Sequence, residues 1–371
     1  GLSAGNLDLV GSLYAGATEQ NRQVQWSGSS AEVGIQVTDL LTIGGTAAGD
    51  QGIVTVGGSV QATGEVNIAV SSGRSNLSLS MNSLSSITSD ATGAFGASTP
   101  AFANPSTPSR VTVTTDHQAQ IYGLIQAVNS GLDPATDPDT VSITAGGLLL
   151  IDGFIDGNDQ VKLSGGNDGH ISVLVTSLLL KTDAQGNEID DSQGNPIRLA
   201  GGTVKTGLGG RINISGPQNL VISGMVGQPY QGTGGLMLDT ASVDITSTGG
   251  DVNVDVKVNA NAAVNVVGRN VNVLAGALVK ARDASGTVYL HASAPTGVIY
   301  VGTTPDRSEP ALVDAGNLIH LFGDSIRVDG LVGPSGTTDR ILFNAVHDIL
   351  VTGQVKANDR IEFNAGVDPA W

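Results

Sequence analysis

The amino-acid sequence predicts an all-β chain: a single parallel β-helix, or solenoid, running through residues 1–371 and carrying loop insertions. Three observations support that expectation. Phrases recur about every 20 residues, a period characteristic of stacked repeats. Glycine is abundant, at 52 of 371 residues, while aromatic residues make up only 4%. Short alternating runs are broken by turn residues along the whole length.

The clearest repeat lies near the end. Asp339–Ala345 reads DRILFNA, and Asp359–Ala365, 20 residues later, reads DRIEFNA. Between them Asp348–Val355, DILVTGQV, echoes Asp324–Val332, DSIRVDGLV, with Gly330 and Gly353 offset by 23. A unit this short buries little by itself, so its core has to come from stacking on its neighbours. The pattern predicts Ile341 over Ile361 and Phe343 over Phe363. The expected rod has roughly 14–17 coils and is about 65–80 Å long at ordinary inter-strand spacing.

The same phrase recurs upstream: an alternating run, a glycine, then a second short strand. Examples are Leu7–Leu13 (LDLVGSL), Ile53–Val60, Leu148–Ile155, Leu220–Val226 and Val271–Leu278. Alternation marks a half-buried strand. The glycine turns the chain without a Cβ clash and accepts positive φ. Val243–Val273 is the most regular stretch. Val252, Val254, Val256, Val258, Val264, Val266, Val271 and Val273 are expected inward, while Asn253, Asn265 and Asn272 either stack amides between coils or simply face solvent.

Insertions are expected at 83–110, 129–140, 182–197, 228–235 and 292–310, where alternation lapses into runs rich in Ser, Thr, Gly, Pro or Asp. Solenoids accommodate such excursions because pairing resumes on the next coil. The best helical candidate is His117–Val128, with apolar residues at 121, 124, 125 and 128, weakened by Gly123.

Charge is sparse, at 14% of residues, with a formal net charge of -17. Basic residues occur singly, which argues against a nucleic-acid partner. There is no cysteine. No apolar run is long enough to span a bilayer as a helix. The chain begins at Gly1 without a methionine, so a processed or excised fragment is expected.

Chemistry-bearing patterns are few. His117, His170, His291, His320 and His347 form no ligand-spaced pair, and as strand neighbours Asp116–His117 and His347–Asp348 would point to opposite faces. Asp152, Asp156, Asp159 and Asp168 form the densest acidic stretch. A glycosidase-like site would need such carboxylates to face one another across a cleft, but here each sits in an Asp-Gly or Asn-Asp turn. Gly165–Asp168 (GGND) echoes a calcium nonapeptide, in one imperfect copy. The expectation is therefore no catalytic residue, no cofactor and no metal site.

The phrase of aliphatic strand, glycine, Val or Leu, polar turn and DRI-x-FNA resembles large bacterial exoproteins of the filamentous haemagglutinin and leukotoxin-like filamentous adhesin class. The resemblance covers residues 1–70 loosely and 204–366 more fully. It implies a right-handed parallel β-helical shaft exported across a Gram-negative envelope and presented outside the cell. The expected role is the shaft of a surface adhesin or extracellular filament, with insert loops as binding elements. Its expected partners are further coils or sister subunits, with host, matrix or cell-surface glycans or proteins as targets. The alternatives are a carbohydrate-active β-helix enzyme (a polysaccharide lyase or hydrolase) and a self-assembling fibre or sheath subunit.

Overall fold

The computed structural model describes the strand backbones within residues 2–81 and Ser83, then residues 85–90, 108–128, 131–167, 170–176, 202–207, 209–227 and 240–366. Side chains are described at residues 60, 66–68, 79–81 and 83 and through the later ranges. All strand pairing among the described residues is parallel, and no helix occurs. Three sheets of 14, 13 and 13 strands run along the molecule, and each takes every third strand in chain order. One coil therefore contributes one strand to each sheet. This is the predicted parallel β-helix, at the lower end of the expected coil number.

The last coils show how sequence makes the coil. Arg340–Ala345 enters the first sheet, Ile349–Val351 the second and Gln354–Val355 the third, after which Arg360–Ala365 begins the next coil. In the first-sheet strand, Ile341, Phe343 and Ala345 point inward and are fully buried. Ile341 pairs with Ile361 and Phe343 with Phe363, as expected, and the two phenyl rings stack 4.8 Å apart. One inner column runs Val243, Val264, Val288, Ile319, Ile341, with aliphatic on aliphatic at every step. Burying each such side chain contributes about 1.5–3 kcal/mol before conformational entropy is counted. β-Branched residues suit these sites because they are stiff and fill a pleated surface.

The corner between the second and third sheets explains the recurring glycine. A Cβ on Gly153 would strike the Gly123 carbonyl oxygen, one on Gly224 would strike that of Gly202, and one on Gly353 would strike that of Gly330. None of these three has a positive φ. Close approach of stacked backbones is the requirement here, rather than turn handedness.

This corner also overturns one expectation and removes the one helical candidate. Val256 is not inside but 39% exposed, whereas Val252, Val254 and Val258 are fully buried. The second-sheet strand Val252–Val254 ends before Asp255–Val256, and Lys257–Ala260 starts the third sheet with its phase reset. His117–Val128 is likewise not a helix. It forms the strands Gln118–Ile121 and Leu124–Ala127, joined by Tyr122–Gly123. A two-residue corner separates inward Ile121 from inward Ile125 by four positions, which imitates a helical face in the sequence.

The insertions leave the register intact. Glu65 pairs with Arg110 and Gln160 with Arg211, so the coils rejoin after excursions of different length. Two boundaries differ from expectation. The 83–110 stretch contains the third-sheet strand Ser86–Ser89, and the 292–310 stretch contains the second-sheet strand Val298–Val301. The coil text in both is short and serine- or glycine-flanked, which hid it. Residues 182–197 and 228–235 lie outside the described residues.

Candidate binding faces

The acidic residues singled out by sequence do not share a cleft. Asp152 sits at the second corner, its backbone N–H donating to the Ile121 carbonyl at 2.9 Å. Asp156 faces outward from the third sheet and binds Lys205 Nζ at 3.1 Å and Gln126 Nε2 at 3.4 Å. Asp159 sits at the corner leading into the first sheet, and Asp168 is outside the described residues. Asp159 does have a carboxylate neighbour that sequence reasoning missed. Asp139 occupies the equivalent corner one coil earlier, because Thr140 and Gln160 are in register. Asp139 Oδ1 accepts from the Ser109 N–H at 2.7 Å, and the Asp139 N–H donates to Asp159 Oδ2 at 2.8 Å. Each carboxylate thus caps the backbone of the coil before it. Burial, together with the charge of Asp139, raises the Asp159 pKa, although the bond from the Asp139 N–H opposes this. A cleft of about 340 Å³ beside Asp159 is lined by Pro134, Ala135, Gln160, Gly209 and Arg211.

The calcium-like text has a steric use. Cβ atoms on Gly165 and Gly166 would strike the carbonyls of Ser172 and Gly146, and Asn167 Oδ1 accepts from Gln218 Nε2 at 2.9 Å. Among the described residues no group of three or more His, Asp or Glu is placed to hold a metal ion.

Asparagine ladders bond coil to coil on the outer walls. Asn272 Nδ2 donates to Asn253 Oδ1 at 2.8 Å, so the stacked reading holds for that pair. Asn265 instead donates to Asp244 Oδ1 at 2.6 Å, and its successor in register is Tyr289.

The histidines divide by position. His117 lies 4.0 Å from Asp116, because both occupy a bend and the alternation of a strand does not separate them. His347 bonds Asp324 of the previous coil at 2.7 Å, not the adjoining Asp348. His291 and His320 belong to a cluster on the outer face of the first sheet. Register places Tyr289 beside His320 and His291 beside Phe322. The Tyr289–His320 rings meet edge to face at 5.7 Å, and the His291–Phe322 rings at 4.8 Å. Asn364 Nδ2 donates to Asn344 Oδ1 at 2.9 Å, which leaves Asn344 Nδ2 to donate to His320 Nε2 at 2.8 Å. That bond requires an unprotonated Nε2. Burial lowers the pKa of both imidazoles, and His291 lowers that of His320 further. At neutral pH this is an uncharged, half-exposed aromatic island on an otherwise Ser-, Thr- and Asn-rich wall.

Among the described residues no helix is long and apolar enough to cross a membrane. No family model, curated protein or solved structure matches the chain.

Proposed function

We propose that the chain is a structural shaft or scaffold of a secreted Gram-negative surface adhesin or extracellular filament, without enzymatic activity, and that its insert loops provide the specific contacts. The observation that carries this reading is continuity. Parallel register runs from Leu2–Ser3 to Arg360–Ala365 through one uninterrupted first sheet, whatever the excursions between coils. Such a wall satisfies its backbone groups internally and holds inserts at fixed distances. The carboxylates nearest the cleft beside Asp159 are engaged in capping backbone N–H groups, which suits architecture better than acid–base chemistry.

The test is deletion of residues 91–107, between strand Ser86–Ser89 and strand Arg110–Thr115. Attachment of the purified chain to cells or matrix should fall at least several-fold while the β-sheet circular dichroism is retained. If the intact chain attaches to neither, the adhesive part of the reading fails. Polysaccharide cleavage abolished by Asp139→Asn or Asp159→Asn would replace the scaffold with an enzyme.

A further inference from the structure

We propose that the third sheet carries a covalent staple: an isopeptide bond between the side chains of Lys205 and Gln126, formed in the folded rod with Asp156 moving the proton. Register creates the arrangement. Gln126 pairs with Asp156, and Asp156 with Lys205, so the three side chains occupy one outward column on successive coils. The carboxylate stands between the carboxamide and the amine. A single oxygen, Asp156 Oδ2, accepts from Gln126 Nε2 at 3.4 Å and from Lys205 Nζ at 3.1 Å. Gln126 and Lys205 are two inter-strand steps apart, about 9.6 Å between backbones. Two long side chains converging from either side span that gap end to end, and they meet over Asp156.

The surroundings favour the reaction. Lys205 Nζ lies 5.0 Å from the centre of the Phe154 ring, which shields the amine on one side. The Asp156 side chain is 13% exposed and that of Lys205 29%. Withdrawing an ion pair from water costs energy and brings its neutral, proton-transferred form closer. Lys205 passes a proton along its hydrogen bond to Asp156 Oδ2, which leaves a neutral amine and a carboxylic acid. The amine lone pair attacks Gln126 Cδ, and a C–N bond forms. Asp156 donates its proton to the departing amide nitrogen and takes the surplus proton from the newly bonded one. The Cδ–Nε2 bond breaks, and ammonia leaves, carrying that last proton away as ammonium. No oxidant, reductant or cofactor enters, and the change happens once per chain, without turnover. A second lysine–aspartate pair on this sheet lacks the arrangement. Lys280 Nζ binds Asp314 Oδ2 at 2.8 Å, but the amide in register, Asn259, lies on the far side of the lysine. The order there is amide, amine, acid, so the acid does not stand between the reacting groups and no bond is expected.

The experiment is intact-mass measurement of the purified 371-residue chain under denaturing conditions, followed by tryptic mapping. The expected mass is about 17 Da, one ammonia, below that of the sequence. The loss should map to residues 111–162 joined to residues 199–211, with trypsin unable to cut at the acylated Lys205. Asp156→Asn and Lys205→Arg should each keep the β-sheet circular dichroism and recover the full sequence mass, while Lys280→Arg should retain the loss. The reading on the unaltered chain does not depend on any variant folding. An unaltered chain with the full sequence mass overturns the proposal. So does a loss that maps elsewhere, such as ring closure at an asparagine, or a bond that persists in Asp156→Asn. The scaffold reading stands or falls separately, on attachment.

Discussion

Glycine serves two different purposes in this chain, and substitution separates them. A Cβ on Gly153 would overlap the Gly123 carbonyl and the Tyr122 backbone, so the stacked coils must part to admit it. Gly153→Ala should cost about 2–3 kcal/mol in chemical denaturation. Gly131 has a φ of 78°, but a Cβ added there would meet nothing within 4 Å. Gly131→Ala should cost only the left-handed backbone penalty, about 1 kcal/mol. Equal costs would contradict the close-approach account. The sequence shows a glycine at both positions but does not distinguish these causes, because both select the same residue. The imidazoles make a second residue-scale prediction. His291 and His320 have folded pKa values below the ordinary histidine value, so the unfolded chain protonates first as pH falls. Stability should therefore decline as pH drops through about 6.5 and continue to fall until the folded-state pKa values are passed. Replacing both, as H291F/H320Y, should flatten the melting temperature between pH 7.5 and 5. A steeper acid loss in the variant would refute this.

At the scale of the strand, phase matters more than composition. Val254 and Val256 look equivalent in the text VNVDVKV, yet one is fully buried and the other 39% exposed. Val254→Ala removes two methyl-sized groups from a packed column and should cost about 2 kcal/mol. Val256→Ala should stay within about 0.5 kcal/mol. Alternation within a strand was legible in the first sheet, as in Arg340–Ala345, but fails in Leu149–Ile151, where all three residues are buried. What sequence did not reveal is where a two-residue corner resets it, and this made His117–Val128 resemble a helix. The same limit hid the aromatic island. Tyr289 and His320 are 31 residues apart, because the coil between them carries the excursion before Leu312. A fixed 20-residue period therefore never superimposes the two. Asp139 escaped notice for a different reason: it lies one 20-residue period before Asp159, but residues 129–140 read as an insertion, whereas Thr140 over Gln160 places it on the coil.

For the whole molecule, the repeat predicts that a coil can be removed without destroying the fold. Excision of residues 242–262 joins Ala241 to Ala263 and deletes one strand from each sheet. The register on either side defines the new contacts. Ile212 pairs with Val243, which pairs with Val264, so excision sets Ile212 against Val264. By the same logic Ile214 meets Val266, Leu220 meets Val271 and Ile222 meets Val273. These four inner pairs are aliphatic on aliphatic, and none of them introduces a buried charge. In a solenoid each unit contacts only its neighbours, so stability is close to a sum of unit and interface contributions. The shortened chain should keep its β-sheet circular dichroism, unfold cooperatively with a smaller denaturant m-value, and be about 4.8 Å shorter by small-angle scattering. A globular domain would collapse on losing 21 consecutive residues that include six fully or nearly buried core side chains: Val243, Ile245, Val252, Val254, Val258 and Ala260. If the excised chain is unfolded or aggregates at once, the coils are not interchangeable units, and the core must depend on contacts that reach beyond nearest neighbours.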